Sequence, residues 1–162
     1  MGIIVIEAAG NAGINLDTIV DEEGNSPFTI GAEDSGAIMV GAATATWPHL
    51  PFATNIGSRV NCFAWGEKVY APTSLGPNDV TSFTPNFDGT SSASAIVAGA
   101  AIVLQGIAIA QFKRRLDALQ MRDVLSSPVT ATKSKNGLAD GIGVMPNLKK
   151  IIQQGVLGQL FS

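Results

Sequence analysis

From Ala93 to Ala110 the chain reads ASAIVAGAAIVLQGIAIA, eighteen positions without a charged side chain. So apolar a stretch has two physical outcomes. It is either a helix buried on all sides or a membrane span, which needs ~20 apolar residues. Ser94, Gly99, Gln105 and Gly106 weaken the span, and alanine supplies seven of the eighteen positions. Lys113-Arg114-Arg115 follows at the C-terminal end, where positive charge complements a helix dipole. The expectation is a single helix over residues 93–110, enclosed by protein, with Gly99 packed inside.

The rest of the chain must supply the enclosure. At 162 residues there is material for about one domain, at ~150 residues each. Hydrophobic residues make up 46% and charged residues 14%, well under the usual share of about 25%, which excludes a disordered chain. Alanine (21) and glycine (18) dominate the apolar content, and only ten aromatics remain to fill a core. A net charge of −3 offers no footprint for nucleic acid. One cysteine, Cys62, cannot form an internal disulfide or a zinc site, and one histidine, His49, rules out a multi-histidine metal centre. The opening Met1-Gly2 runs at once into Ile3-Ile4-Val5-Ile6 with no targeting composition. Either there is no such signal, or the N-terminal part of a longer protein is missing.

Residues Gly2–Ala9 form a short apolar run closed by Gly10-Asn11-Ala12-Gly13, which suits a central parallel strand. A polar loop with Asp17, Asp21, Glu22, Glu23, Glu33 and Asp34 spans residues 15–34 and is expected to be solvated. Residues 37–42 read as a second buried strand, and 60–64 and 68–70 as short strands. Gly76-Pro77-Asn78-Asp79 marks a turn between two extended arms. Leu116–Ser126 reads as a second helix ended before Pro128, and Pro146 as the first turn of a third running towards Gln154. Buried strands mixed with helices make an α/β layered domain the natural class.

Two segments bear on chemistry. In Ala8-Ala9-Gly10-Asn11 an amide side chain emerges at the carboxyl end of a strand, where open α/β sheets bind ligands; equally, Asn and Gly are ordinary turn residues. In Asp88-Gly89-Thr90-Ser91-Ser92-Ala93-Ser94 a hydroxyl opens the long helix. It is either a plain N-cap or a nucleophile beside free N–H groups.

Taken together, GIIVIEAAGN, SGAIMVGA and DGTSSASAIVAGAA resemble, in that order, the C-terminal half of the subtilisin-like serine peptidases, the subtilases. WGEKVYAPT is similar to the family's loop before the serine, and GLADGIGVMPNLKKII to its closing turn and helix, so that the resemblance covers nearly all 162 residues. It implies a three-layer α/β/α fold with a mostly parallel sheet, present here as the C-terminal half. It implies Ser91 as nucleophile, Asn11 and the Ser91 N–H as oxyanion donors, and Ala8, Ala9 and Gly10 as the wall of the pocket for the residue before the scissile bond. It also implies a polypeptide substrate, secretion, a soluble helix and no membrane.

There are departures. Ala95-Ile96 stands where the family has Pro-His, which concerns packing. The family's calcium turn is not legible in the acidic loop, so no cofactor is assigned, although the resemblance allows calcium. Subtilases order their triad Asp, His, Ser, with the first two before the AAGN segment; residues 1–162 then constitute a partial peptidase domain, inactive alone, whose partner is the missing N-terminal half. His49, between prolines, is expected to be a partly exposed loop histidine rather than a substitute base, and Asp88 to cap the helix. A half domain also exposes the surface its partner covers, which favours self-association. The competing function is a non-catalytic binding or assembly module on the same scaffold. Retention of Ser91 and Asn11 together speaks against it.

Overall fold

The computed structural model of the chain describes residues 2–29 and 34–162. Glu33 of the acidic loop lies outside the described residues.

Three parallel strands form the central sheet in the order β1 (Ile6–Ala8), β2 (Ile38–Ala43), β3 (Cys62–Trp65). All six residues of β2 are buried, and alternation assigns them to two cores. Ile38, Val40 and Ala42, with Cys62 and Ala64 of β3, face a cluster built with the helices. Met39 and Ala43, with Phe63, face a smaller cluster around Leu16, Val60 and Ile142. The α/β class and subtilisin-like arrangement hold. On the second side, however, the described layer consists of loops and a 3-10 turn, Leu16–Thr18, rather than long helices.

Among the described residues the 2–9 run is an edge strand and not a central one. Only Ile6–Ala8 are extended in the sheet, and Ile3 and Val5 are 85% and 49% exposed. Among the described residues β1 pairs only with β2, so it forms the sheet edge.

Helix α1 (Gly89–Ile107) begins four residues earlier than expected and runs on through a π-helical turn, Ala108–Phe112. Lys113 ends it in the left-handed region at φ 57° and donates from Nζ to the Ala110 carbonyl. Nor is the helix enclosed. Ala93, Val97, Ala101, Leu104 and Ala108 are buried against the sheet side, while Ile102 is 73% exposed and Gly99 has open space around it. One face meets the sheet and nothing among the described residues covers the other. By length and composition alone, Gly89–Phe112 is apolar enough to cross a bilayer.

Helix α2 (Ala118–Ser126) starts on a capping box between Asp117 and Gln120 and buries Met121, Val124 and Leu125. Asn147 caps α3 (Leu148–Gln153), leaving Pro146 just outside the first turn. A further short helix, α4 (Val156–Phe161), follows Gly155. β4 (Val69–Pro72) and β5 (Phe83–Phe87) form a separate antiparallel hairpin around the Gly76–Asp79 turn. Hydrogen bonds from Ser82 and from the Leu75 and Thr81 N–H groups hold the Asp79 carboxyl down at about 2.

Asp17, Asp21, Glu22 and Glu23 of the acidic loop are exposed, as expected of a solvated loop, while Asp34 at its end is partly buried. Asp34 receives two hydrogen bonds from the Arg122 guanidinium of α2, at 2.8 and 2.6 Å, which hold its carboxyl well below the usual carboxylate range. Asp17 accepts from the Ser58 N–H and hydroxyl.

Candidate active site

The carboxyl end of β1 and the N-terminus of α1 meet above the sheet. Gly89, at φ +76°, donates its N–H to the Gly66 carbonyl beyond β3, which fixes where α1 begins. A side chain here would clash: a Cβ would lie 2.8 Å from Asn11 Nδ2. The first turn therefore presses directly on the Asn11 amide.

Asn11 Oδ1 accepts two hydrogen bonds, from the Thr90 N–H at 2.9 Å and the Thr90 hydroxyl at 2.7 Å. An amide oxygen has two lone pairs, and both are used. The orientation of the amide follows: Nδ2, the donor end, has no partner among the described residues. Thr90 Oγ1 in turn accepts from the Gly10 N–H at 3.2 Å, closing a small network across the turn. Asn11 also acts as a helix cap, because the Thr90 N–H is one of the first-turn donors without an intrahelical acceptor. Asp88, expected to cap, stands at the N-cap position with an extended backbone and makes no side-chain cap bond.

Ser91 is the third residue of α1 and is exposed. Its own N–H belongs to the same set of first-turn donors without an intrahelical acceptor. Ser92, by contrast, is buried and turns its hydroxyl onto the Gly89 and Trp65 carbonyls. The two adjacent serines thus differ: Ser92 is internally bonded and Ser91 is presented to solvent beside Asn11.

Ala8, Ala9 and Gly10 follow one another at the end of β1 with different surroundings. Ala8 is exposed at the end of β1, whereas Ala9 is 6% exposed and packs in the second core cluster. Alternation along an extended chain sends their side chains to opposite sides. Thr90 is a site residue that sequence reasoning misses, although it lies inside the Gly-Thr-Ser triplet.

His49 is buried, not loop-exposed. Its Nδ1 lies 2.9 Å from the Thr44 carbonyl, which can only accept, so this nitrogen carries the proton. Its ring packs between Trp47 and Phe63, with centroids at 6.0 and 6.1 Å. None of its hydrogen bonds among the described residues reaches Ser91. Among the described residues no group of three Asp, Glu, His or Cys side chains converges to hold an ion. Among the described residues, Asp17 accepts from Ser58 and Asp21 from Asn25.

Solved structures share this fold. The chain is similar to the prenylagaramide maturation protease PagA (TM-score 0.64, 19% identity, covering 93% of this chain and 50% of that one). It is also similar to the self-cleaved protease domain of PatA (0.66, 21%, 97% and 51%). A third is fervidolysin from Fervidobacterium pennivorans, described as a keratinolytic enzyme related to subtilisin (0.61, 19%, 94% and 22%). The chain thus spans about half the length of the first two and less of the third. No curated protein matches it. The subtilase family model matches residues 1–144, a span that includes β1, its Asn11 turn and α1 and stops before α3 and α4. With Asn11 and Ser91 set at the carboxyl end of a parallel sheet, and most of the sequence matched, this chain belongs to the subtilase family.

Proposed function

We propose that this chain is the serine- and oxyanion-bearing portion of a serine-type endopeptidase, completed by a segment that supplies the Asp and His. The observation that carries the reading is the pair of bonds from Thr90 to Asn11 Oδ1, which leaves Nδ2 as a fixed donor beside the exposed Ser91. Ser91 Oγ attacks the peptide carbonyl as a histidine of the complementary segment takes its proton. Asn11 Nδ2 and the Ser91 N–H hold the tetrahedral oxyanion. The intermediate collapses to an acyl-enzyme, the histidine protonates the leaving amine, and water then hydrolyses the ester. Around the cleavage site Ala8 and the backbone of Ala9 and Gly10 line the substrate. Calcium takes no part in this scheme.

The complementary segment has a place to dock. The outer face of α1 carries Ile96, Ile102, Val103 and Ile109, all exposed. Covering it by protein accounts for its apolar character without a membrane. Secretion and a polypeptide substrate follow from the family reading.

The test is reconstitution. This chain alone is expected to cleave no peptide, because a serine without a base is a weak nucleophile near neutral pH. Joined to the Asp- and His-bearing segment it gains activity that Ser91→Ala abolishes. Asn11→Leu then lowers kcat by about 10²–10³ with KM little changed, a magnitude carried over from subtilisin itself. Peptidase activity that survives Ser91→Ala overturns the proposal.

A further inference from the structure

We propose that Asn55 is the positioning residue of the oxyanion donor: it holds the Gly10–Gly13 turn so that Asn11 meets Thr90. The inference rests on the peptidase reading for its kinetic consequence, but its structural basis is independent of it. Asn55 lies in the loop between β2 and β3, more than forty residues from the turn. Its Oδ1 accepts the N–H groups of Ala12 (3.1 Å) and Ile14 (3.0 Å), and its Nδ2 donates to the Ala9 carbonyl at 2.8 Å. Its own N–H donates to the Gly10 carbonyl at 2.7 Å. Four hydrogen bonds therefore bracket Asn11, two on residues before it and two on residues after it, while none touches Asn11 itself.

The turn has little means of holding itself. Gly10 and Gly13 both have positive φ, at 92° and 70°, and glycine accepts many other conformations at equal cost. Residues 11–14 are all exposed, so core packing does not fix them either. The contact with Asn55 is close enough that a Cβ on Gly10 would stand 2.7 Å from Asn55 Nδ2. An amide side chain suits the position because its oxygen accepts from two N–H groups while its nitrogen, a separate atom, donates to a carbonyl. Aspartate keeps the two acceptor bonds and sets a negative oxygen against the Ala9 carbonyl. Alanine loses all three side-chain bonds. Asn55 never reaches the reacting atoms, and its effect passes through Asn11.

Two measurements test this. The first uses the 162-residue chain, labelled with ¹⁵N. In Asn55→Ala, amide exchange at Ala12 and Ile14 should speed up at least about tenfold and the Asn11 side-chain amide signal should move, while the Val40 and Cys62 amides keep their protection. Should Asn55→Ala not fold, Asn55→Asp serves instead, with Ala12 and Ile14 still protected and the Asn11 amide signal displaced. Exchange and Asn11 signals unchanged in a folded variant overturn the proposal without any assay of activity. The second uses the reconstituted peptidase. Asn55→Ala should lower kcat about tenfold or more at nearly constant KM, with Asn55→Asp intermediate, because a small misplacement of an oxyanion donor is costly. In an Asn11→Ala background the same Asn55 change should have almost no further effect. Additive losses sink the positioning role. Activity independent of Ser91 sinks the peptidase reading instead, and leaves the exchange result standing.

Discussion

The two faces of α1 are built from the same few residue types and meet different surroundings. On the inner face, Ala93, Val97, Ala101, Leu104 and Ala108 recur at helical spacing and are at most 6% exposed. On the outer face, Ile96, Ile102, Val103 and Ile109 are at least 39% exposed, with Gly99 and Gly106 in open space. Burial is thus decided by what lies opposite and not by hydropathy. The inner face has β2 and β3 opposite it; nothing among the described residues lies opposite the outer face, where the proposed function places the complementary segment. A contiguous apolar face of this kind marks an interaction surface, and self-association of the isolated chain through it is the outcome tested below.

The largest effect that separates the two faces should come from Leu104→Ala. Leu104 is fully buried in the main cluster, which also holds Val40, Met121 and Leu125. Truncation removes transfer energy and leaves a cavity, so a loss of about 2–5 kcal/mol is expected in urea unfolding. Cys62 provides a second reading of the same event. Burial pushes its thiol up to about 12, so the native chain should resist alkylation at neutral pH and Leu104→Ala should accelerate labelling. An unmoved urea midpoint would mean that the inner face is not the packed one.

The long helix is legible in the amino-acid sequence because its uncharged apolar run is a property of the chain itself, whereas its one-sided burial is not: the run reads as enclosed all round. Legible too are β2 and β3, each local in the chain; the AAGN turn and the GTS helix start, whose contact spans 79 residues, are joined in the sequence only through the family resemblance. What stays hidden depends on distant partners. The 2–9 run reads as a buried strand because Ile and Val say nothing about which neighbours exist, and among the described residues β1 pairs on one side only. His49, between two prolines, reads as a loop residue, while burial comes from Phe63 of β3. Ala9 groups with Ala8 by sequence, yet extended backbone turns it into the core. Asn55 carries no local signal, since an asparagine beside Ile56-Gly57 looks like any turn residue until the 9–14 segment is placed against it.

Gly99 offers a smaller effect with a sharper sign. Were the outer face packed, an added side chain would cost stability through strain. In open space, Gly99→Ala instead removes backbone freedom from the unfolded chain and improves helix propensity, for a gain of about 0.5–1 kcal/mol. A raised urea midpoint at unchanged slope supports the open face, and a lowered one closes it.

The smallest effect expected on the chain alone is that of Ile102→Gln. Ile102 is 73% exposed, and glutamine keeps a similar reach and a good helix propensity, so stability should stay within about 0.5 kcal/mol. Self-association should fall at the same time, since one large apolar contact has been replaced by a hydrated amide. Sedimentation velocity at several concentrations measures this, with Arg122→Gln as a control: that change breaks the Asp34 ion pair on α2 and leaves the outer face of α1 intact. In the reconstituted peptidase the same Ile102→Gln should weaken assembly with the complementary segment, because an amide buried there lacks a partner. The combination is what discriminates. A variant that is as stable as the parent, less prone to associate, and slower to assemble places the partner on this face; one that loses stability alone and assembles normally places it elsewhere.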